Sequence, residues 1–399
     1  MKAITCKNRR VGKRRRPRRW TSGILFVCCV VGTVSIGRAD PQEPRRKMTY
    51  AQAKAMWVNR KLPKFWIGDV AGLAARWKKL VHGQVQVIAK SPGGRPLYLI
   101  TYGRREPVKH RANFNSAIGG HDATAYMDKA ARKRPVIYFV GPVHGHEVEG
   151  LTGLINLIEI METGRDLRGR DHSELRKLGQ QCRLLILPAG NPDGIARFEP
   201  RSAHGMTLDL FQFWGMGTWR DDTIAYWPTS KLQHPRTGPE IGFLGCYFDD
   251  AGINPMHDEF LAPMGPEAPA ILKVAMREGP DLAVSLHSHE ARPSLLRPAY
   301  VPLEQQQQVI ALAKQCYARL DALGVPHGSL FKAQAEQGAH PAPFNLVSAL
   351  YHISGATAFT FECPHGINSP TACRVTLDQI LDIQLALYET MMRYALAQK

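Results

Sequence analysis

Cysteine is scarce in this chain, and its spacing argues against one common kind of metal site. The 399 residues contain eight cysteines, and no two of them form a Cys-x-x-Cys pair. Paired thiolates at that spacing are typical zinc ligands, so a zinc–thiolate site is not expected. Five cysteines follow residue 39, an odd number that leaves room for one or two disulfides and at least one free thiol. These five are Cys182, Cys246, Cys316, Cys363 and Cys373.

Acidic residues are absent from the first 39 positions. Residues 1–39 instead contain eleven Lys or Arg, an apolar stretch over 24–36, and small residues at Gly37 and Ala39. This is the layout of a secretory signal, and it predicts cleavage after Ala39. The apolar stretch is short for a membrane-spanning helix, and an uncleaved N-terminal anchor is the alternative. We therefore expect an exported protein (secreted, periplasmic or in the cell envelope), with membrane contact only through an uncleaved N-terminal segment.

A strongly basic balance often indicates nucleic acid or acidic membranes as partners, but here the charge is concentrated at the N-terminus. The formal net charge is +18, and +7 remains once the eleven basic residues of 1–39 are set aside. The rest of the chain has no basic–aromatic motif of the kind that binds nucleic acid. We therefore expect no nucleic-acid partner.

Internal repeats are also lacking, and the longest low-complexity run is Gln305–Gln308. Residues 40–48 are polar and rich in Pro and Arg, which indicates a linker. The chain is 44% hydrophobic, which is enough for one large core or two modest ones.

Four short apolar runs predict strands that are buried on both faces, because a continuous apolar run suits a parallel sheet covered by helices. The runs are 136–140, 182–187, 281–286 and 356–361. Helical periodicity separates them, as in the spacing of Leu151, Leu154 and Ile158. Strands that alternate with helices predict an α/β fold with a layered, sandwich-like architecture.

Polar side chains follow each of these four runs. His144 and Glu147 follow the first, Asn191 opens an Asn-Pro-Asp-Gly turn after the second, and His287 and Glu362 end the others. The ends of strands in an α/β sheet open into a crevice, so several polar groups there indicate a site rather than packing. His-x-x-Glu places an imidazole and a carboxylate on one helical turn, and both are zinc ligands. That motif alone fits a plain polar loop equally well, so a metal site needs a third ligand from elsewhere.

In this order, the residues resemble the zinc metallocarboxypeptidases, the carboxypeptidase A-like family. The family pattern is His-x-x-Glu, then Asn-Pro-Asp-Gly, then a strand-end His followed by Ser, and finally a strand-end Glu. It stands here as His144–Glu147, Asn191–Gly194, His287–Ser288 and Glu362, and the resemblance covers roughly residue 49 to the C-terminus. It implies a three-layer sandwich with a central mixed, mostly parallel sheet and helices on both faces. It also makes 49–399 a catalytic domain.

The resemblance implies roles for the matching residues. His144, Glu147 and His287 would hold one Zn²⁺ per chain, and Glu362 would act as general base toward water. Two more histidines, His146 and His289, follow the predicted strands. The resemblance implies that they line the site or lie behind the ligands.

Substrate-binding residues match the family less closely. An arginine normally helps to hold the oxyanion, and Arg201 and Arg197, just after the Asn-Pro-Asp-Gly turn, are candidates. The family's Asn-Arg pair grips a terminal carboxylate, but the segment 252–260 has no arginine. Asn254 and His257 are the substrate-binding candidates there.

The sequence thus predicts an exported zinc-dependent metallopeptidase that hydrolyses a peptide or peptide-like amide bond. One alternative is a zinc amidohydrolase that deacylates small N-acyl amino acids. The export signal argues against this alternative. The irregular, tryptophan-rich segment 208–250 also argues against it, because such a segment is more typical of a loop that binds a larger substrate. The other alternative is a non-catalytic binding protein on the same fold, which the presence of every ligand and the base disfavours.

Overall fold

The apolar runs predicted as strands form the centre of a mixed sheet in the computed structural model, which describes residues 46–57, 60–339 and 341–399. The strands are β1 (Gln84–Lys90), β2 (Pro96–Tyr102), β3 (Val136–Val140), β4 (Arg183–Leu187), β5 (Gly217–Trp219), β6 (Ile241–Leu244), β7 (Leu282–His289), β8 (Ser294–Leu295) and β9 (Thr357–Pro364). Seven of them form one sheet in the order β1-β2-β4-β3-β7-β9-β8, and β5 and β6 form a separate hairpin. The four central strands, β4, β3, β7 and β9, are parallel, and the outer strands pair antiparallel.

Helices cover both faces of this sheet. They are α1 (Tyr50–Trp57), α2 (Leu73–Trp77), α3 (Phe114–Gly119), α4 (Glu149–Thr163), α5 (Ser173–Gln181), α6 (Pro192–Arg197), α7 (Leu208–Met216), α8 (Glu267–Glu278), α9 (Leu303–Ala322), α10 (Leu346–Ser354) and α11 (Leu377–Ala397). Side chains of α4, α9 and α11 belong to the largest apolar core among the described residues, and those of α8 and α10 belong to the next largest. The predicted sandwich with a mixed, centrally parallel sheet and helices on both faces is therefore confirmed.

Strand β3 shows why its sequence is continuously apolar. Ile137 and Phe139 pack into the core on one face, and Val136, Tyr138 and Val140 pack into the core on the other. Successive strand residues point to opposite faces, so a strand covered on both sides must be apolar at every position. Burying side chains of this size stabilises the fold by about 1.5–3 kcal/mol each, so β3 is a rigid support for the loop that follows it.

Two segments differ from their sequence-based predictions. The segment 208–250 was expected to be an irregular loop, but it contains α7 and the β5–β6 hairpin, with Phe213 and Trp214 fully buried. Phe213 and Trp214 pack into the main apolar core, and Tyr247 and Phe248 belong to a small separate apolar cluster. The Asn-Pro-Asp-Gly sequence was expected to form a tight turn, but it opens α6. The side chain of Asn191 caps that helix by accepting the N–H of Gly194 at 2.8 Å.

Several other expectations concern residues at or near the N-terminus. The signal or anchor over 1–39 lies outside the described residues, as does most of the linker over 40–48. Within the described ranges, no helix combines the length and the apolar character needed to cross a membrane. The five cysteines after residue 39 are buried free thiols.

Two carboxyl groups, those of Asp249 and Glu267, lie together in the interior and are fully buried. One oxygen of Asp249 accepts backbone N–H groups, but its Oδ2 and both oxygens of Glu267 have no hydrogen-bond donor among the described residues. Two ionised carboxylates are unstable in so dry a place, and a proton shared between them resolves the conflict. Burial, with repulsion from Asp249, raises the pKa of Glu267 to about 9. Burial likewise raises the pKa of Asp249 to about 6.

We expect this pair to make the folded protein less stable as pH rises. The pKa of Glu267 is about 9 in the folded chain against an ordinary value of 4.5, so the folded state keeps a proton that the unfolded state has released. The contribution of Glu267 to the free energy of unfolding is complete below pH 4.5. It is lost as the pH rises toward 9, at up to about 1.4 kcal/mol per pH unit. Glu267→Gln donates an amide N–H to Asp249 at any pH, so it should flatten this slope. Urea unfolding at several pH values measures the slope, with exposed Glu304→Gln as control. Equal slopes for the Glu267 variant and the wild type would contradict the shared proton.

Candidate metal centre and active site

The loop after β3 rests against the Asn-Pro-Asp-Gly segment. A Cβ on Gly145 would lie 2.0 Å from the backbone carbon of Gly194, so only glycine allows this approach. Gly194 is held in turn by the Asn191 side chain. Asp193 accepts a hydrogen bond from Arg95 in the β1–β2 turn at 2.8 Å. The Asn-Pro-Asp-Gly segment at the start of α6 therefore serves as a support, and it fixes the loop that carries the first metal-ligand candidates.

Three predicted ligands converge at the carboxyl ends of β3 and β7. The Nδ1 of His144 lies 2.8 Å from Oε1 of Glu147. The Nδ1 of His287 lies 2.9 Å from Oε2 of Glu147 and 3.2 Å from Nδ1 of His144. All three side chains are buried, and their ligand atoms lie within 4.8 Å of one another. The backbone N–H of Ser288 donates to Glu147 at 3.3 Å, which helps to orient the carboxylate.

This donor set fits zinc. Four ligands arranged tetrahedrally at about 2.0–2.2 Å from an ion lie about 3.3–3.6 Å apart. The atoms here lie 2.8, 2.9 and 3.2 Å apart, slightly closer than in a loaded site. The Nε2 of His287 lies 2.9 Å from Oγ of Ser285. If Nε2–H donates to that hydroxyl, Nδ1 presents its lone pair toward Glu147, and the tautomer is the one a metal needs. Two imidazole lone pairs at 3.2 Å repel each other unless a proton or a cation lies between them. A divalent ion satisfies both nitrogens and the carboxylate together.

Charge interactions within the trio also favour a cation. Burial lowers the pKa of His144 to about 4, so this imidazole is neutral and free to act as a ligand. Burial would lower the pKa of His287 as well, but the attraction of Glu147 outweighs it and raises that pKa. Burial opposes ionisation of Glu147, yet the two imidazoles hold its pKa well below the usual range. The carboxylate is thus ionised, and a buried anion between two imidazoles is a cation-binding arrangement.

Glu362 lies on β9, directly beside the third ligand. The parallel register pairs His287 with Glu362, and paired residues on adjacent strands project from the same face of the sheet. Burial raises the pKa of Glu362, while His289 and His287 oppose that rise. The carboxyl group therefore has the position and the increased basicity expected of a group that accepts a proton near the metal.

A second His-x-x-Glu frame overlaps the first, shifted by two residues. His146 and Glu149 occupy it, but Glu149 pairs with His365 instead of joining the trio. Oε1 of Glu149 lies 3.1 Å from Nδ1 of His365, and both side chains are fully buried. His146 packs against Phe211, with ring centroids 5.1 Å apart. The first frame thus supplies ligand candidates, and the second ties the start of α4 to the loop after β9.

The predicted substrate residues are placed differently from one another. His257 lies near the metal centre, since His144 and His287 both contribute to its lowered pKa of about 2, after burial and Lys231. Asn254 is buried, and its side chain accepts the N–H of Met256 at 3.0 Å. The two arginine candidates are engaged elsewhere.

Arg201 and Arg197 hold other parts of the chain. Arg201 is exposed, has a left-handed backbone with φ of 59°, and pairs with Asp69 at 3.0 Å. Arg197 donates to the carbonyls of Gly245 and Phe248 at 3.0 and 2.9 Å. Nearness to the Asn-Pro-Asp-Gly motif in sequence suggested them, but α6 directs Arg197 toward the segment around Phe248. An oxyanion role for either has no support from these contacts.

Two residues near the centre were not predicted from sequence, Lys231 and Tyr247. The ring of Tyr247 stacks on that of His144, with centroids 3.6 Å apart and an interplanar angle of 17°. The Nζ of Lys231 lies 5.5 Å from the centroid of Tyr247 and 3.5 Å from Nε2 of His257. Both residues come from the segment 208–250, which has no periodicity to show which side chains face the site. Its tryptophan-rich composition was the only signal available.

Comparisons with known proteins identify a family and a related fold. A family model described as zinc carboxypeptidase matches residues 71–291, a range that includes the trio and stops before Glu362. A metallo-carboxypeptidase structure from Burkholderia cenocepacia is 13% identical and aligns 82% of this chain with 69% of its own, at a TM-score of 0.51. Carboxypeptidase A from Helicoverpa armigera is 15% identical, with 88% of this chain and 74% of its own aligned at a TM-score of 0.47. A search of curated proteins found no significant match. At these identities the structural likeness concerns the fold alone.

Proposed function

The chain belongs to the zinc carboxypeptidase family, and from that premise we propose that it is an exported zinc-dependent metallopeptidase that hydrolyses a peptide or peptide-like amide bond. The observation that carries the proposal is the convergence of His144, Glu147 and His287 beside Glu362. A ligand set with a neighbouring base is what amide hydrolysis needs, and packing alone does not require it.

Each side chain has a defined role in this proposal. The Nδ1 atoms of His144 and His287 and the carboxylate of Glu147 would hold the ion. Zinc, when bound by three protein ligands, lowers the pKa of water from about 16 to about 7 and polarises a carbonyl group. Glu362 would accept the proton of the attacking water and pass it to the leaving nitrogen. Its parallel pairing with His287 keeps the base and the ligand at the same level of the sheet.

Export rests on the sequence of residues 1–39. We expect the mature protein to begin at Asp40 and to be recovered outside the cytoplasm. N-terminal sequencing of the protein from culture medium and from envelope fractions measures both. A mature protein that keeps residues 1–39 and sediments with membranes would favour the uncleaved anchor.

The proposed activity is tested by zinc content and product analysis on residues 40–399. We expect about one zinc per chain, as the three ligands imply, and amide hydrolysis that a chelator abolishes and added zinc restores. A mixed panel of peptides and N-acyl amino acids, with products identified by mass spectrometry, separates a peptidase from a deacylase. Zinc binding with no turnover across the panel would favour a non-catalytic binding protein. Failure to bind zinc after reconstitution would contradict the site assignment itself.

A further inference from the structure

A large cleft separate from the metal centre lies between the segment 60–77, the start of β2 and the segment 188–201. Its volume is about 1130 Å³, more than the roughly 300–1,000 Å³ of a typical small-molecule site. The residues that line it include neither Glu362 nor any member of the metal-binding trio. The cleft therefore has no task in the proposed hydrolysis, and it has room for a ligand made of several linked units.

The walls of this cleft are fastened to each other without a ligand. Nε1 of Trp66 donates to the carbonyl oxygen of Arg201 at 2.7 Å, and the Arg201 side chain pairs with Asp69 at 3.0 Å. A Cβ on Gly68 would lie 1.9 Å from the same carbonyl oxygen, so the two backbones are in direct contact. Because these contacts are already made, the cleft is preformed and a ligand does not have to order it.

Positive charge exceeds negative charge along the cleft. Two of the cations that line it, Arg201 and Arg95, have carboxylate partners of their own. The other three, Arg60, Lys64 and Arg76, form no ion pair within the part of the chain that the structure describes. Arg60 donates to a backbone carbonyl, which leaves its charge uncompensated. The two acids of the lining are themselves paired with basic side chains. The cleft as a whole therefore attracts an anionic ligand.

Aromatic rings and prolines form much of the remaining wall. The rings of Trp77 and Tyr98 meet edge to face, with centroids 6.3 Å apart. Apolar walls of this kind bind apolar side chains, and a bare polyanion such as polyphosphate makes no use of them. The cleft thus suits a ligand that combines carboxylates with apolar groups. The prolines of the lining are Pro63, Pro96, Pro188, Pro192 and Pro200.

We propose that this cleft binds an acidic segment of another polypeptide, with Lys64 and Arg76 holding its carboxylates and the aromatic wall contacting its apolar side chains. The N-terminal part of this chain has the wrong charge for the role, since residues 1–39 contain eleven basic residues and no acidic one. The inference goes beyond the proposed function and does not depend on it, because binding in the cleft requires neither the metal nor Glu362.

A set of synthetic peptides tests the charge requirement in the zinc-loaded protein. Each peptide is acetylated and amidated, with Glu at alternate positions and Leu, Tyr or Trp between them. The blocked ends offer the metal centre no terminal carboxylate. Calorimetry should detect binding of these peptides, and no binding of the same peptides with Lys in place of Glu. No binding of any acidic peptide, or equal binding of both sets, would overturn the proposal.

Two double variants that remove the same charge show whether the cleft is responsible. Lys64→Gln combined with Arg76→Gln should weaken peptide binding at least tenfold, about the combined effect of two ion pairs at the rim of an interface. Lys78→Gln combined with Lys79→Gln is the matched control, because both lysines are exposed next to α2 and neither lines the cleft. The control should bind within about twofold of the wild type. Equal losses in the two double variants would contradict the assignment.

A pair of tryptophan substitutions locates the ligand without any change of charge. Ala74 and Ala75 are neighbouring exposed residues of α2, and only Ala74 lines the cleft. Ala74→Trp should obstruct the cleft and weaken peptide binding at least tenfold, whereas Ala75→Trp should bind as the wild type does. If Ala74→Trp does not fold by near-ultraviolet circular dichroism, Ala71→Trp, at another exposed lining position, replaces it. Unchanged binding in the obstructed variant would overturn the proposal.

Polyphosphate of matched charge separates a peptide site from a general polyanion site. The wild type should bind the acidic peptides more tightly than polyphosphate, because only the peptides contact the apolar wall. Polyphosphate binding as tight as that of the peptides, with the same loss in the Lys64 and Arg76 double variant, would overturn the peptide assignment. Peptide binding with this pattern in a protein that hydrolyses no amide would still support the cleft, while the proposed activity would fail.

Discussion

Replacing Glu362 with glutamine is expected to lower kcat/KM by about 10²- to 10⁴-fold, the range that a general base contributes, while zinc stays bound. Glutamine has nearly the same shape, so β9 should keep its pairing with β7 and the trio should be undisturbed. The amide cannot accept a proton from water at neutral pH, which removes the step assigned to this side chain. Steady-state kinetics on the best substrate of the panel, with zinc measured on the same samples, gives the result directly.

A matched glutamate variant shows that the effect belongs to this position. Glu304→Gln, at an exposed site in the first turn of α9, should retain wild-type kinetics. If Glu362→Gln kept more than about a tenth of the wild-type activity, another group would have to act as the base. The strand pairing that places Glu362 beside His287 would then be structural only.

Replacing His287 with alanine is expected to cost both the metal and the activity. The substitution removes one of two nitrogen ligands and leaves Glu147 without the imidazole that lies 2.9 Å from it. Loss of an outer partner of a metal ligand already costs 10- to 100-fold in affinity, so loss of the ligand itself should cost more than about 100-fold. Competition with a zinc chelator measures the affinity, and turnover at saturating zinc shows whether the remaining ligands still support catalysis.

His289 offers a close control, because it lies on the same strand two residues further along. Its Nε2 lies 3.0 Å from the carbonyl of Arg292, outside the trio. His289→Ala should therefore bind zinc as tightly as the wild type. A comparable loss of zinc in both histidine variants would show that the strand, rather than the His287 ligand, was disturbed.

The central sheet and the trio could be predicted because their signals are local. An apolar run such as 136–140 specifies a strand covered on both sides, whatever else the chain does, and polar residues at its end are visible in the same window. Once the parallel strands are placed side by side, His144 and His287 must meet at one edge. The order of the motifs then supplied what spacing alone left open, namely which histidines belong together.

The rest of the site depended on contacts between distant segments, which no local pattern reveals. Lys231 faces the centre because the β5–β6 hairpin folds over Tyr247, and nothing in the sequence distinguishes this lysine from exposed ones. Arg201 was predicted from its nearness to the Asn-Pro-Asp-Gly motif, but the structure pairs it with Asp69 on the surface. The buried pair of Asp249 and Glu267 was likewise missed, because acidic residues in a sequence are assumed to face water.

The overlapping His-x-x-Glu frames have a consequence for how this segment can vary in length. Glu147 faces the metal centre, and Glu149, two residues later, holds His365 beyond the end of β9. Inserting or deleting one residue between His144 and Glu147 would put both carboxylates out of phase at once, Glu147 with the two histidines of the trio and Glu149 with His365. Surface loops of the chain can absorb such changes one at a time, but this short stretch cannot. Among sequences that diverge from this one, the stretch should therefore rarely gain or lose a residue, even where neighbouring side chains are substituted.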